Sequence, residues 1–152
     1  MRRHEKRHRQ GMDVKRLMIL LPVLNEAEGL DVVLEQIPEE ALHGLGWNSE
    51  IVIVDGKSTD NSRQIGAEAG CKVLVQPSRG KGEAIRLGFD HAIKEQFDAL
   101  VMFDADRTYN PQDMLEMIKQ LKAGAVIVGN RLNSSMGSDA MSPLNWIGNH
   151  VL

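Results

Sequence analysis

The sequence predicts an α/β fold, a mostly parallel sheet with helices layered on both faces. Three observations carry that prediction. Five short apolar runs alternate with four segments of helical spacing along the 152-residue chain. The apolar runs are near-continuous rather than alternating, as strands read when both sheet faces are covered. Polar and charged residues gather where those runs end, at the edge where open parallel sheets bind ligands.

Each element has its own signal. Residues 16–22, Arg-Leu-Met-Ile-Leu-Leu-Pro, read as a buried first strand. Residues 26–42 have helical spacing at Leu30, Val33, Leu34 and Ile37, with Pro38 as the expected break. A second strand is predicted over 50–55 and a helix over 58–69, with Ser58 as its N-cap and Gly70 as its C-terminal cap. Residues 71–75 make the third strand. A helix over 81–95 is expected to place Ile85, Leu87, Phe89 and Ile93 in the core. The fourth strand runs over 99–104. Asn110, Pro111 and Asp113 mark another helix start, with Met114, Met117 and Ile118 as a face packed on the sheet and an end near Lys122. Residues 125–128, Ala-Val-Ile-Val, read as the fifth strand.

Composition bounds the function. Hydrophobic content of 42% and charged content of 26% are ordinary for a globular domain. No apolar run reaches the ~20 residues of a membrane span, and no signal peptide is visible. Residues 1–16 hold seven basic and two acidic residues, or +5, against a chain total of −3, which leaves −8 for the rest. That asymmetry predicts a disordered basic arm over 1–15 ahead of an acidic domain over 16–152. The arm is a solvated tail or a weak peripheral contact with anionic lipid headgroups. The acidic body argues against nucleic acid. A single cysteine, Cys71, fits a reducing compartment and reads as core rather than nucleophile. His4, His8, His43, His91 and His150 show no ligand spacing.

Asp104-Ala105-Asp106, at the end of the fourth apolar run, is the most informative stretch. Residues i and i+2 of a strand face one way, so both carboxylates are expected on one face, with small Ala105 permitting close approach to the backbone. Paired carboxylates repel unless a cation joins them or one is protonated. Carboxylate oxygens suit Mg²⁺ or Mn²⁺, which also hold phosphate oxygens. Asn25 and Glu26 follow strand one, Asp55 strand two, Ser78 to Lys81 strand three, and Arg131 strand five. Asp55 is expected to point into the resulting cleft. Gly80-Lys81-Gly82 opens a helix but is neither a P-loop nor a full dinucleotide fingerprint. Arg131 reads as a structural ion pair or as a clamp on phosphate charge.

Taken together, five stretches resemble family 2 glycosyltransferases of the GT-A fold, a three-layer Rossmann-like sheet. They are residues 21–26 (Leu-Pro-Val-Leu-Asn-Glu), 53–60 (Ile-Val-Asp-Gly-Lys-Ser-Thr-Asp), 79–82 (Arg-Gly-Lys-Gly), 104–106 and 129–131 (Gly-Asn-Arg). With residues 141–149 they look most like the polyprenyl- or dolichyl-phosphate sugar synthases. The resemblance implies an inverting transfer of a hexose from a GDP- or UDP-sugar to a polyprenyl phosphate, with Mg²⁺ or Mn²⁺ as cofactor. It implies a cytoplasmic protein, at the cytoplasmic membrane face. It places Pro22, Leu24, Asn25 and Glu26 around the nucleoside and Asp55 at the base. Asp104, Ala105 and Asp106 lie by the ribose, metal and diphosphate, and Thr108 assists the metal. Lys81 and Arg131 neutralise phosphate charge. Three positions depart from the family pattern: Leu24 for an aromatic, Gly56 for a second acid, and Thr108 for Gln or Ser. The family's catalytic domain continues past this point, so residues 16–152 are expected to be its donor-binding portion, incomplete at the C-terminus.

Two rival readings follow from the same residues. Asp104-Ala-Asp106-Arg-Thr108 matches the strand-end motif of haloacid dehalogenase-type phosphatases, in which Asp104 would be the nucleophile. That motif normally opens its fold, whereas here three strand–helix units precede it. The other rival is a binding module that holds nucleotide and metal without transfer.

Overall fold

The computed structural model describes residues 14–127. The basic arm, His4, His8 and His150, Val128, the 129–131 stretch with Arg131, and residues 141–149 lie outside the described residues. In chain order the elements are β1 (Lys15–Val23), α1 (Leu30–Glu35), α2 (Glu39–Gly44), β2 (Trp47–Asp55), α3 (Ser62–Glu68), β3 (Lys72–Val75), α4 (Lys81–Lys94), β4 (Ala99–Met102), a 3₁₀ turn (Pro111–Asp113) and α5 (Met114–Gln120). The chain divides into two compact units, one ending at Leu115 and the other starting at Glu116.

The first unit holds the sheet. Its order is β3-β2-β1-β4, and every pair is parallel. Strand β1 is central, with partners leaving in opposite directions along the sheet. The point where strand order reverses therefore lies between β1 and β4, and the crevice beyond their carboxyl ends is where such sheets bind ligands. Pairing of β1 with β4 stops at Leu20↔Met102, while pairing with β2 continues to Val23↔Asp55. Pro22 sits beyond the last β4 partner. A proline lacks the N–H a ladder needs, so it suits the stretch where β4 has already diverged.

Both faces of the sheet are covered. Met18, Leu20, Val52 and Val54 form one buried cluster with Ala84 and Ala92 of α4. On the opposite face Gly66 of α3 lies against Ile53 and Val73. Helix α4 approaches closely because its inward positions are small: a Cβ at Gly88 would sit 2.5 Å from Leu20 Cδ2 and 2.7 Å from Cδ1. Leu20 is fully buried and has no room to yield.

Several expected boundaries move. Pro38 does separate two helices, but α1 begins only at Leu30, and 26–29 form a turn. Helix α3 starts at Ser62, so Ser58 is not its cap. Gly70 does terminate α3: at φ +82 its N–H donates to Ala67 O, and Cys71 N–H donates to Gly66 O, the paired bonds of a Schellman ending. Asn110 caps the 3₁₀ turn as expected, its side chain accepting from Gln112 N–H at 3.1 Å. Along α4, Phe89 and Ile93 are exposed at 46% and 75%, whereas Ala84, Gly88 and Ala92 face inward. The predicted fourth strand stops at Met102 rather than 104.

The second unit, as far as it is described, holds the end of α5 and a short tail. Lys119 Nζ lies 2.6 Å from Glu116 Oε1, and Ala125 N–H closes a turn on Lys122 O at 3.0 Å. The predicted fifth strand is not formed over 125–127, which are irregular; its last predicted residue, Val128, lies outside the described residues. The run follows directly on that turn, with Gly124 at φ +73.

Candidate functional site

A cleft of about 460 Å³ lies beyond the carboxyl ends of the strands. Its wall takes Pro22, Val23, Leu24, Asn25 and Glu26 from the end of β1, and Asp104, Ala105 and Asp106 from beyond β4. The third side is the start of α4, with Arg79, Gly80 and Lys81. Asp104 and Asp106 lie past the strand end, so strand alternation does not align them. They line one cleft from the loop after β4, which is bent over 105–109.

Among the described residues, three of the four non-glycine positions with positive φ flank this cleft: Asn25 at +55, Lys57 at +67 and Arg107 at +63. Such backbone persists only where the surroundings hold it. For Asn25 the loop after β2 does the holding. Asn25, Glu26 and Ala27 donate successive backbone N–H groups to Ser58 Oγ (2.9 Å), Ser62 Oγ (2.9 Å) and Asp60 Oδ2 (3.0 Å). Asn25 Oδ1 accepts in return from Thr59 N–H at 2.8 Å. Ser62 Oγ also donates to Asp60 Oδ1 at 2.6 Å, and that bond leads the interactions holding the Asp60 carboxyl below the usual carboxylate range. Residues 58–62 thus form a template on which the Asn25–Glu26 loop is laid.

Asp55 does not face the cleft. Its side chain is 0% exposed. The carboxylate accepts from Lys57 N–H at 3.0 Å and Ser58 N–H at 3.1 Å, and Arg63 Nε lies 3.6 Å away. Those bonds commit the carboxylate to turning the chain from β2 into the template. Thr108 likewise stands outside the cleft lining; its N–H donates to Asp106 Oδ1 at 2.9 Å.

The cleft is electrostatically divided. Glu26, Asp104 and Asp106 crowd one side. Burial pushes the Glu26 carboxyl up, and the charges of Asp106, Asp104 and Asp60 push it further. Asp106 is held below the usual carboxylate range, chiefly by hydrogen bonding from the Thr108 side chain. Facing them, Lys81 Nζ lies 2.6 Å from Asp104 Oδ1. Helix α4 opens at Lys81 with no side-chain cap and its first turn lines the cleft, which puts the positive end of its dipole at that wall. Cys71 sits at the foot of β3, its thiol pushed up to about 11 by burial and then by Glu39, which leaves it inert.

Glu26 with a raised pKa opposes folding while ionised, so stability falls as pH rises through its folded value. Glu26→Gln is therefore expected to stabilise the chain at pH 7 by roughly 0.5 kcal/mol, the scale of screened charge pairs. The gain should shrink toward zero as pH falls below the ordinary carboxylate range, where the native carboxyl takes up its proton. Urea titrations at pH 7 and below that range check this; an equal gain at both would assign the effect to packing rather than charge.

The donor set suits a hard divalent cation. Asp104 and Asp106 offer carboxylate oxygens, and no cluster of three or more His, Cys, Asp or Glu side chains encloses a metal among the described residues. A pair of carboxylates with the remaining positions left to phosphate oxygens and water is how Mg²⁺-type ions are commonly held. Gln76, Lys57, Thr59 and Arg79 also line the cleft, although no role follows for them from the sequence. Arg79 is detectable in the sequence as a cation directly before the glycine that opens α4. Gln76 is 2% exposed, immediately after β3, and ties the turn by donating to Ser78 O and Gly80 O.

Comparison with known proteins adds the lineage. The family model described as Glycosyl transferase family 2 matches residues 18–151. Glycosyltransferase AglJ of Haloferax volcanii is 33% identical over 135 residues, covering 88% of this chain and 42% of that protein. An undecaprenyl-phosphate 4-deoxy-4-formamido-L-arabinose transferase of Pectobacterium carotovorum is 29% identical over 146 residues, 89% of this chain and 43% of its own length. The chain thus spans under half the length of these relatives. Among solved structures, the mannosyltransferase PcManGT of Pyrobaculum calidifontis, in complex with GDP-Man and Mn²⁺, superposes with a TM-score of 0.55 at 22% identity, covering 68% of this chain and 31% of that one. That likeness bears on the fold, and the fold agrees.

Proposed function

The chain belongs to glycosyl transferase family 2, and from that premise we propose that it is the donor-binding portion of an inverting, metal-dependent glycosyltransferase. The donor is a nucleotide diphosphate sugar and the acceptor a polyprenyl phosphate. One observation carries the reading: two carboxylates, an uncapped helix N-terminus and its lysine face one cleft at the strand-order reversal. That arrangement offers a cation bridge and an anion cradle side by side, the two things a metal–diphosphate pair needs. Family membership removes the phosphatase reading of the same aspartates.

In this reading Pro22, Leu24, Asn25 and Glu26 bound the nucleoside, on a loop whose shape the 58–62 template fixes. Asp55 acts through that template. Asp104 and Asp106 hold Mg²⁺ or Mn²⁺, which when bound supplies Lewis-acid neutralisation of the leaving diphosphate. Thr108 keeps Asp106 ionised and oriented. Lys81, Arg79 and the first turn of α4 stabilise the diphosphate as its charge develops. Arg131 is assigned the same role on donor or acceptor. A phosphate acceptor is ionised near neutral pH, its second pKa being ~6, so no strong general base is required. The acceptor assignment is supported by the undecaprenyl-phosphate transferase relative, and transfer is proposed of the whole protein. The basic arm is assigned to the membrane face, where such acceptors reside.

Binding of GDP and UDP, each with Mn²⁺ and with EDTA, tests the donor assignment by calorimetry. One nucleotide is expected to bind only with metal present. Equal binding with EDTA, or none with Mn²⁺, overturns it.

A further inference from the structure

We propose that Lys81 occupies the cation subsite of the free cleft and passes from Asp104 to the diphosphate when the donor arrives, so that metal and nucleotide bind cooperatively. The inference rests on the reading above. Lys81 Nζ lies 2.6 Å from Asp104 Oδ1, closer than a merely neighbouring charge. Both side chains line the same cleft, and Lys81 is the first residue of α4, beside the amides that would cradle the diphosphate.

A dication approaching Asp104 alone meets an ammonium already on the carboxylate. Asp104 has a second oxygen, but using it leaves like charges in contact. A diphosphate removes the conflict, because its oxygens give Lys81 another partner within the cleft while the metal takes over the carboxylates. The ion pair is 59% exposed on the lysine side, and a pair so solvated is weak enough to exchange. Lysine suits this exchange better than arginine would, because its ammonium is a compact point charge on a flexible stem, not a planar fork fixed to one carboxylate. Lys57, the other lysine of the cleft, cannot play this part while its Nζ donates to Pro77 O at 2.6 Å.

Mn²⁺ titration followed by electron paramagnetic resonance, with and without GDP or UDP, reads the exchange without any turnover. In the unsubstituted chain the nucleotide is expected to raise Mn²⁺ affinity by about 5-fold or more, the lower end of usual coupling between two ligands. Lys81→Met should raise Mn²⁺ affinity of the nucleotide-free chain by a similar factor and shrink the cooperativity toward none. Lys94→Met, at the far end of α4, makes the same change in net charge and should alter neither quantity. Unchanged or weaker Mn²⁺ binding in Lys81→Met without nucleotide overturns the proposal. So does an equal rise with and without nucleotide, which would mean plain repulsion without transfer. Absence of Mn²⁺ binding by the unsubstituted chain under both conditions would instead defeat the metal reading itself, and this inference with it.

Discussion

Asp106→Asn is expected to abolish metal-dependent nucleotide binding while leaving the fold intact. Asparagine keeps the shape of the side chain and an oxygen able to accept the Thr108 N–H that Asp106 Oδ1 now accepts at 2.9 Å. The loop after β4, with Arg107 at φ +63, therefore retains its main local tie. What disappears is the charge. Asp106 is held below the usual carboxylate range, so in the native chain it is ionised throughout the neutral and mildly acidic range. A hard dication gains little from a neutral amide in its place. Residues that merely orient a metal ligand typically cost 10–100-fold when lost, so loss of the ligand charge is placed at roughly 100-fold or more. Calorimetric titration of GDP or UDP in the presence of Mn²⁺ measures it, with a thermal melt to confirm the fold. Retained affinity in a folded variant would remove Asp106 from the metal site.

The parts of this fold that are legible in the sequence are those whose physics is local. Buried parallel strands must be apolar runs, and β1 and β2 stand out that way, with the edge strands β3 and β4 as shorter runs. Gly70 and Asn110 stand out because an αL ending and an Asx cap each demand a residue type. The inward face of α4 is misread from the sequence for an equally physical reason. Size and apolarity point to Phe89 and Ile93, but the distance from helix to sheet is set by what fits against Leu20, and that is Ala84, Gly88 and Ala92. Residues 125–127 have the composition of a strand but are irregular, following a turn closed at Lys122 and Ala125. At the site, convergence on the strand ends is readable because topology dictates it. The side-chain assignments there are not. Ser58, Asp60 and Ser62 look like a turn and a helix cap, and only three-dimensional proximity shows that they hold the backbone of residues 25–27. Asp55 looks like a cleft residue because it ends a strand, but a carboxylate beside two unpaired amides satisfies them first.

The Asp55 turn carries the largest expected stability effect. Asp55→Ala removes both acceptors of the Lys57 and Ser58 amides and leaves Arg63 without the carboxylate 3.6 Å from its Nε. Breaking a buried charged network by deleting one partner costs about 3–5 kcal/mol. Because Arg63 is half exposed and can rehydrate, the lower end of that range is expected. For a chain of this size each kcal/mol is worth roughly 2–4 °C, which places the melting temperature about 6–12 °C lower. Asp55→Asn divides the effect. Its remaining oxygen can still accept an amide of the turn, so it should lose about 1 kcal/mol, the scale of a single hydrogen bond and a screened pair. The same two variants address function through the template. If Asp55 acts only by holding residues 56–62, nucleotide affinity should follow stability: nearly intact in Asp55→Asn and lost in Asp55→Ala as the Asn25–Glu26 loop loosens. If the carboxylate contacts the base directly, Asp55→Asn should change the preference between GDP and UDP by more than its loss of stability accounts for. Urea unfolding and calorimetry on both variants separate the outcomes, and a fully stable Asp55→Ala would overturn the account of the turn.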